Sequence, residues 1–158
     1  MGILLVLGVV NLTGSQANAR DAERKADIET IAMYLETYYN SGTDGSTAIG
    51  QYPFARNTQA TGLIHNETSY LRDIDPNSLR APGVTTGSSL IATGSYLNPP
   101  VELTATNQYV YQPIANDGSI CYSQQQVCRK FNLYYKLEIA TSNCPAPKNI
   151  CMITSKNQ

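Results

Sequence analysis

The sequence predicts an α+β fold in which one long N-terminal helix covers a small antiparallel sheet, with disulfides clipping the C-terminal region. Three observations predict it. Residues 17–40 (ANARDAERKADIETIAMYLETYYN) are rich in helix formers and place Ile28, Ile31, Leu35 and Tyr38 at the i, i+3, i+4 spacings of one helical face. In residues 129–140, Phe131, Leu133, Tyr135, Leu137 and Ile139 alternate with Lys130, Asn132, Tyr134, Lys136 and Glu138, the period of a strand with one apolar and one wet face. Cys121, Cys128, Cys144 and Cys151 fall in two pairs of the same C-x6-C spacing.

The length of 158 residues suits one domain, for which about 100–200 is usual. Lys and Arg number 11 against 12 Asp and Glu, a formal charge of −1, so no electrostatic excess draws the whole surface to a phosphate backbone or an anionic lipid. Strong nucleic-acid binding is not expected. Charged residues are only 15%, and Thr, Asn, Ser and Gln make the surface polar instead. Trp is absent and Phe occurs twice, whereas Tyr occurs 11 times, which points to a thin core of rings whose hydroxyls reach water.

The elements follow in order. Gly2–Leu12 reads GILLVLGVVNL, an apolar run of Ile3, Leu4, Leu5, Val6, Leu7, Val9 and Val10 that is shorter than the about 20 residues of a membrane span. It is either the apolar region of a secretory signal cut after Ala17-Asn18-Ala19, or one part of a longer apolar helix. Gly8 and Gly14, with Asn11 between them, are poor helix residues and predict local bending there on assembly. The amphipathic helix of residues 17–40 follows, and its charges (Arg20, Asp21, Glu23, Arg24, Lys25, Asp27) read as a solvated face. The glycines of NSGTDGSTAIG end it. Residues 41–107 read as a variable loop region, with short helical candidates at 66–73 and at Asp75-Pro76, where Asp caps and Pro takes the first turn. Strands then come at 108–114 and 129–140, and Ile150–Thr154 returns beside the second.

Even cysteine number and wide spacing favour disulfides over a zinc site, which uses tighter Cys knuckles and often His. Three connectivities are open. The local one, Cys121–Cys128 with Cys144–Cys151, closes the smallest loops. Disulfides imply an oxidising compartment, outside the cytoplasm. Asp73-x-Asp75-x-Asn77 begins like a calcium loop but has Ser78 where Gly is required and Val84 where Glu is required. The single histidine, His65, has no recognisable nucleophile beside it, and neither phosphate-binding glycine motif occurs. Asn11-Leu12-Thr13 and Asn66-Glu67-Thr68 match the short glycosylation pattern. No catalytic residue, metal or cofactor is expected, and the chain reads as a non-enzyme.

One stretch carries a resemblance. Ala19-Arg20-Asp21-Ala22-Glu23-Arg24-Lys25-Ala26-Asp27-Ile28, then Ile31-Ala32 and Leu35-Glu36-Thr37-Tyr38-Tyr39, resembles the run where the helix of type IV pilins and related pseudopilins emerges from its membrane part. Gln51-Tyr52-Pro53 is similar to the Tyr-Pro that follows this helix, and Tyr109-Val110-Tyr111-Gln112-Pro113, a two-cysteine loop and a long strand fit the family's order. The family's basic leader and its F-T-[LI]-x-E start have no counterpart here, so its docking glutamate is assigned to no residue.

The resemblance implies that residues 1–16 are an apolar stump of the membrane and filament-core helix, preceded by a further apolar stretch, and that 17–158 form one globular domain. It implies a subunit, major or minor, that polymerises through Ile3–Val10 into a cell-surface filament for adhesion, motility or uptake. Its partners would be other copies or other pilins, an inner-membrane assembly platform, and the membrane before assembly. Two alternatives stand beside it: a pseudopilin of a secretion system, and a secreted binding module with residues 1–19 as its signal.

Overall fold

The computed structural model describes residues 2–42, 49–55, 70–123 and 125–157, with side chains from Gly14 onward. Helix α1 runs from Gly2 to Ser41, longer than the expected 17–40, and passes through Gly8 and Gly14 without a break. It ends where Gly42, at φ 66°, takes the left-handed conformation that a glycine adopts without penalty, its N–H bonding the carbonyl of Tyr38 at 2.7 Å. The expected filament-core residues Ile3, Leu4, Leu5, Val6, Leu7, Val9 and Val10 lie in the helix, with their side chains outside the described residues.

Four strands follow: β1 (Leu90–Ala92), β2 (Tyr109–Ala115), β3 (Cys128–Lys136) and β4 (Ile150–Thr154), in the spatial order β1-β2-β3-β4. The β2–β3 and β3–β4 pairs are antiparallel, as expected, and β4 returns beside β3. The sheet is nevertheless mixed, because β1 runs parallel to β2 with Leu90 beside Tyr109 and Ala92 beside Tyr111. A parallel neighbour needs a crossover. Here residues 93–108 supply it, crossing the face of the sheet remote from α1, where Leu103 packs on Val110 and Tyr134. That crossover also corrects the expectation of a wet outer face: Tyr134 is buried, and Gln112 is buried with its amide donating to the carbonyls of Ser95 and Leu97. Past Tyr111 the β1 side of β2 is taken by a bridge between Ile114 and Ile120, in which the Cys121 N–H donates to the Pro113 carbonyl at 3.0 Å; Pro113 is tolerated because the Cys121 carbonyl is served instead by the Ala55 N–H at 2.9 Å.

The inner face of the sheet meets α1. Ile28, Ile31, Leu35 and Tyr38 from the helix, and Phe131, Leu133, Tyr135 and Leu137 from the sheet side, are all buried, as the two periodicities predict. Ile139 departs from that expectation. The strand stops at Lys136, the two-residue alternation stops with it, and Ile139 is 38% exposed. The 3₁₀ helix Pro76–Leu79 forms where expected, with the Asp75 carboxylate accepting the Asn77 N–H at 2.9 Å. The loop region is less bare than its composition suggests, since Leu71, Leu79, Leu90 and Ala92 are buried in the core. Of the helical candidate at 66–73, residues 66–69 lie outside the described residues, and Leu71–Asp73 form a turn.

Candidate functional site

The apolar face Ile28–Ile31–Leu35–Tyr38, continued backwards at helical spacing, leads to Arg24 and Asp21. Those two side chains point inward. Arg24 is 2% exposed, Asp21 5% and Asp27 8%, so these three of the charges read as a solvated face belong instead to the N-terminal half of the helix–sheet seam, whereas Glu23 and Lys25 are exposed as that reading expects. The spacing itself was the signal, and the balanced signs of the run concealed it.

Asp21 is fully engaged. One carboxylate oxygen accepts Arg24 Nη1 at 2.7 Å and the backbone N–H of Glu138 at 2.9 Å, while the other accepts the N–H of Ile139 at 2.9 Å. These two amides follow the end of β3, where no neighbouring strand serves them, so the aspartate replaces a strand. Arg24 in turn donates Nε to the Thr106 carbonyl at 2.9 Å and pairs through Nη2 with Glu138 Oε1 at 2.8 Å. Arg20 grips the same carboxylate through Nε at 2.8 Å and Nη2 at 2.5 Å. Its two arginines, Arg20 first, hold the Glu138 carboxyl down at about 2.

One turn further, Asp27 Oδ2 accepts the hydroxyl of Tyr109 at 2.7 Å. Burial pushes the Asp27 carboxyl up to about 6, against the lowering effect of that hydrogen bond. Burial, and then Asp27 itself, pushes the Tyr109 hydroxyl far above its ordinary range. At the other end of the seam, Glu36 accepts the Lys156 N–H at 2.8 Å, the Asn157 side-chain amide at 3.0 Å and the Tyr52 hydroxyl at 2.9 Å. The helix is thus fastened at Asp21 and at Glu36, about 22 Å apart at 1.5 Å per residue.

The cysteines pair locally, Cys121 with Cys128 and Cys144 with Cys151, across Cα separations of 5.7 and 4.9 Å. The first closes the loop that receives residues 51–55, whose Tyr52 and Ala55 N–H groups bond the carbonyls of Cys128 and Cys121. The second closes the connection between β3 and β4. His65 lies outside the described residues. Among the described residues, no three His, Cys, Asp or Glu side chains converge on a common point.

The seam is therefore a clamp: its acceptors are occupied by the chain's own donors. Ahead of it, the helix continues for more than four turns with Gly14, Ser15 and Gln16 exposed and an apolar sequence upstream. Among the described residues, no helix is long and apolar enough to cross a membrane. The chain matches no protein-family model, no curated protein and no solved structure.

Proposed function

We propose that this chain is a structural subunit of a type IV pilus-like filament, in which the N-terminal part of α1 is the assembling element and the sheet, loops and disulfides form the outward head. The observation that supports this reading is one continuous helix with two chemistries. Its second half is clamped to the head from Arg20 to Glu36, while its first half carries the apolar run Ile3–Val10 ahead of that clamp.

A helix with an apolar end gains about 1.5–3 kcal/mol for each Leu or Val side chain it removes from water, and identical helices side by side remove them mutually. The motif that carries the family resemblance, Arg20 to Ile28, coincides with the clamp, which gives those residues a physical reason to occur together: they hold a head rigidly on an assembling helix. On this reading the partners are other copies or other pilins and a membrane assembly platform, and the filament lies on the cell surface.

The test is mass spectrometry of the material sheared from the surface of source cells. The chain is expected in the filament fraction, with an N-terminus at or upstream of Gly2. Recovery only as a monomer beginning at Arg20 would overturn the reading in favour of a secreted module.

A further inference from the structure

The two broad sides of the head differ in charge. On the sheet face remote from α1, Lys130 and Lys136 alternate along β3 with Asn132 and Tyr134, and Lys148 stands on the connection to β4. None of the three forms an ion pair among the described residues. The one carboxylate of the crossover that covers this face, Glu102, is buried. Beside Lys148 opens an apolar groove of about 300 Å³, walled by Pro99, Pro147, Ile150 and Met152 and floored by Tyr134. Met152 is 45% exposed there although it belongs to a strand.

The opposite side of the head is acidic. Glu23 and Glu29 are exposed on the outward side of α1, and Asp73 and Asp75 stand beside it, where the Tyr34 hydroxyl donates to the Asp73 carbonyl. Lys25 and Arg72 are the bases on this side, and Arg72 is 3.9 Å from the Asp73 carboxylate. Met33, one turn after Glu29, is 58% exposed, so an acid and a flexible apolar tip share one helical stripe.

A single chain cannot join these sides, because the sheet and the helix lie between them. Two chains can. We propose that the lysine-rimmed groove of one copy receives the Glu29–Met33 side of α1 from a second copy, Met33 entering between Pro147 and Met152 while Glu23 and Glu29 meet Lys136 and Lys148. Opposite patches make this a heterologous contact, which repeats from copy to copy and builds an open filament where its rotation does not close a ring. Charge complementarity sets the register and the salt sensitivity of such a contact, and the apolar knob supplies its buried centre. The inference rests on the filament reading and adds to it the head-to-head contact.

The test uses the full chain, heavy-isotope-labelled and unlabelled copies mixed in detergent, assembled by detergent removal and treated with a zero-length carbodiimide. Mixed-isotope links from Lys136 or Lys148 to Glu23 or Glu29 are expected. K136E/K148E and E23K/E29K are each expected to assemble at least tenfold less than the unaltered chain, and an equal mixture of the two to recover assembly. Circular dichroism checks that both variants remain folded. Assembly unaffected by both charge reversals, or mixed-isotope links confined to other residues, would overturn the inference and leave the filament reading standing. Failure of the unaltered chain to assemble at all would overturn both.

Discussion

The carboxylate of Asp21 lies 2.9 Å from the backbone nitrogen of Glu138, a residue 117 positions later in the chain. The helix thereby supplies, from outside the sheet, acceptors for the amides that follow the end of β3. Arg24 and Glu138 depend on the same atom group, so the cluster behaves as a unit.

Asp21→Asn is expected to destabilise the head by about 1–3 kcal/mol, because it removes one of the two carboxylates that pair with buried Arg24 and weakens the acceptor of the Glu138 and Ile139 N–H groups. Glu23→Gln, on the exposed side of the same turn, is expected to change stability by less than about 0.5 kcal/mol. Urea unfolding of the two variants checks the contrast. Equal effects would mean that the seam is not a clamp.

Asp27 and Glu138 give stability opposite pH dependences. The Asp27 carboxyl is raised in the folded state from 3.8 to about 6, so its contribution is fully present below pH 3.8 and is lost as pH rises through 6. Stability is expected to increase on acidification from pH 7, by something on the order of 2 kcal/mol from this residue. Glu138 is lowered from 4.5 to about 2, so its contribution is present above pH 4.5 and is lost as pH falls toward 2. Denaturation midpoints measured from pH 2 to 8 should therefore peak in the mildly acidic range. Asp27→Asn should remove the rise between pH 7 and 5 and leave the acid limb in place.

Opening the first disulfide by Cys121→Ser with Cys128→Ser is expected to cost about 2–3 kcal/mol, the chain-entropy value for so short a loop. The loss should not be confined to that loop. The amides of Tyr52 and Ala55, which bond the carbonyls of Cys128 and Cys121, should exchange with solvent faster by native-state hydrogen exchange.

Gly94 is a position of close approach. A Cβ there would stand 2.8 Å from a ring carbon of Tyr122, whose hydroxyl donates to the Gly94 carbonyl at 2.7 Å. Gly94→Ala is expected to cost about 1–3 kcal/mol by overpacking. Adding Tyr122→Ala should relieve the clash, so that the double variant is more stable than the sum of the single losses allows, a non-additivity that thermal unfolding can measure.

The parts of the fold legible in the sequence are those whose period lasts long enough to read. Ile28 to Tyr38 spans about three helical turns, and Phe131 to Leu137 gives four inward positions in alternation, and both faces are buried as their spacing predicts. β1 is illegible for the opposite reason: Leu90-Ile91-Ala92 is too short to show a period, and its parallel pairing depends on a polar crossover that no local pattern announces. Tyr134 looked solvent-facing because alternation assigns a side of the sheet but cannot tell that the chain returns to cover it. The seam is the instructive case. Composition ranks Arg24 and Asp21 as surface residues, yet they occupy the inward positions of the same stripe as Ile28 and Leu35, and position prevailed because each charge found a partner there.

The attachment of α1 also has a mechanical meaning. A pull along the N-terminal helix enters the head at Arg20 and Asp21 and passes directly to the end of β3 at Glu138. That strand is interior, bonded to β2 on one side and to β4 on the other. Tension would therefore be shared between two ladders rather than borne by the single ladder of an edge strand, and the Cys144–Cys151 bridge ties β4 to the connection that precedes it.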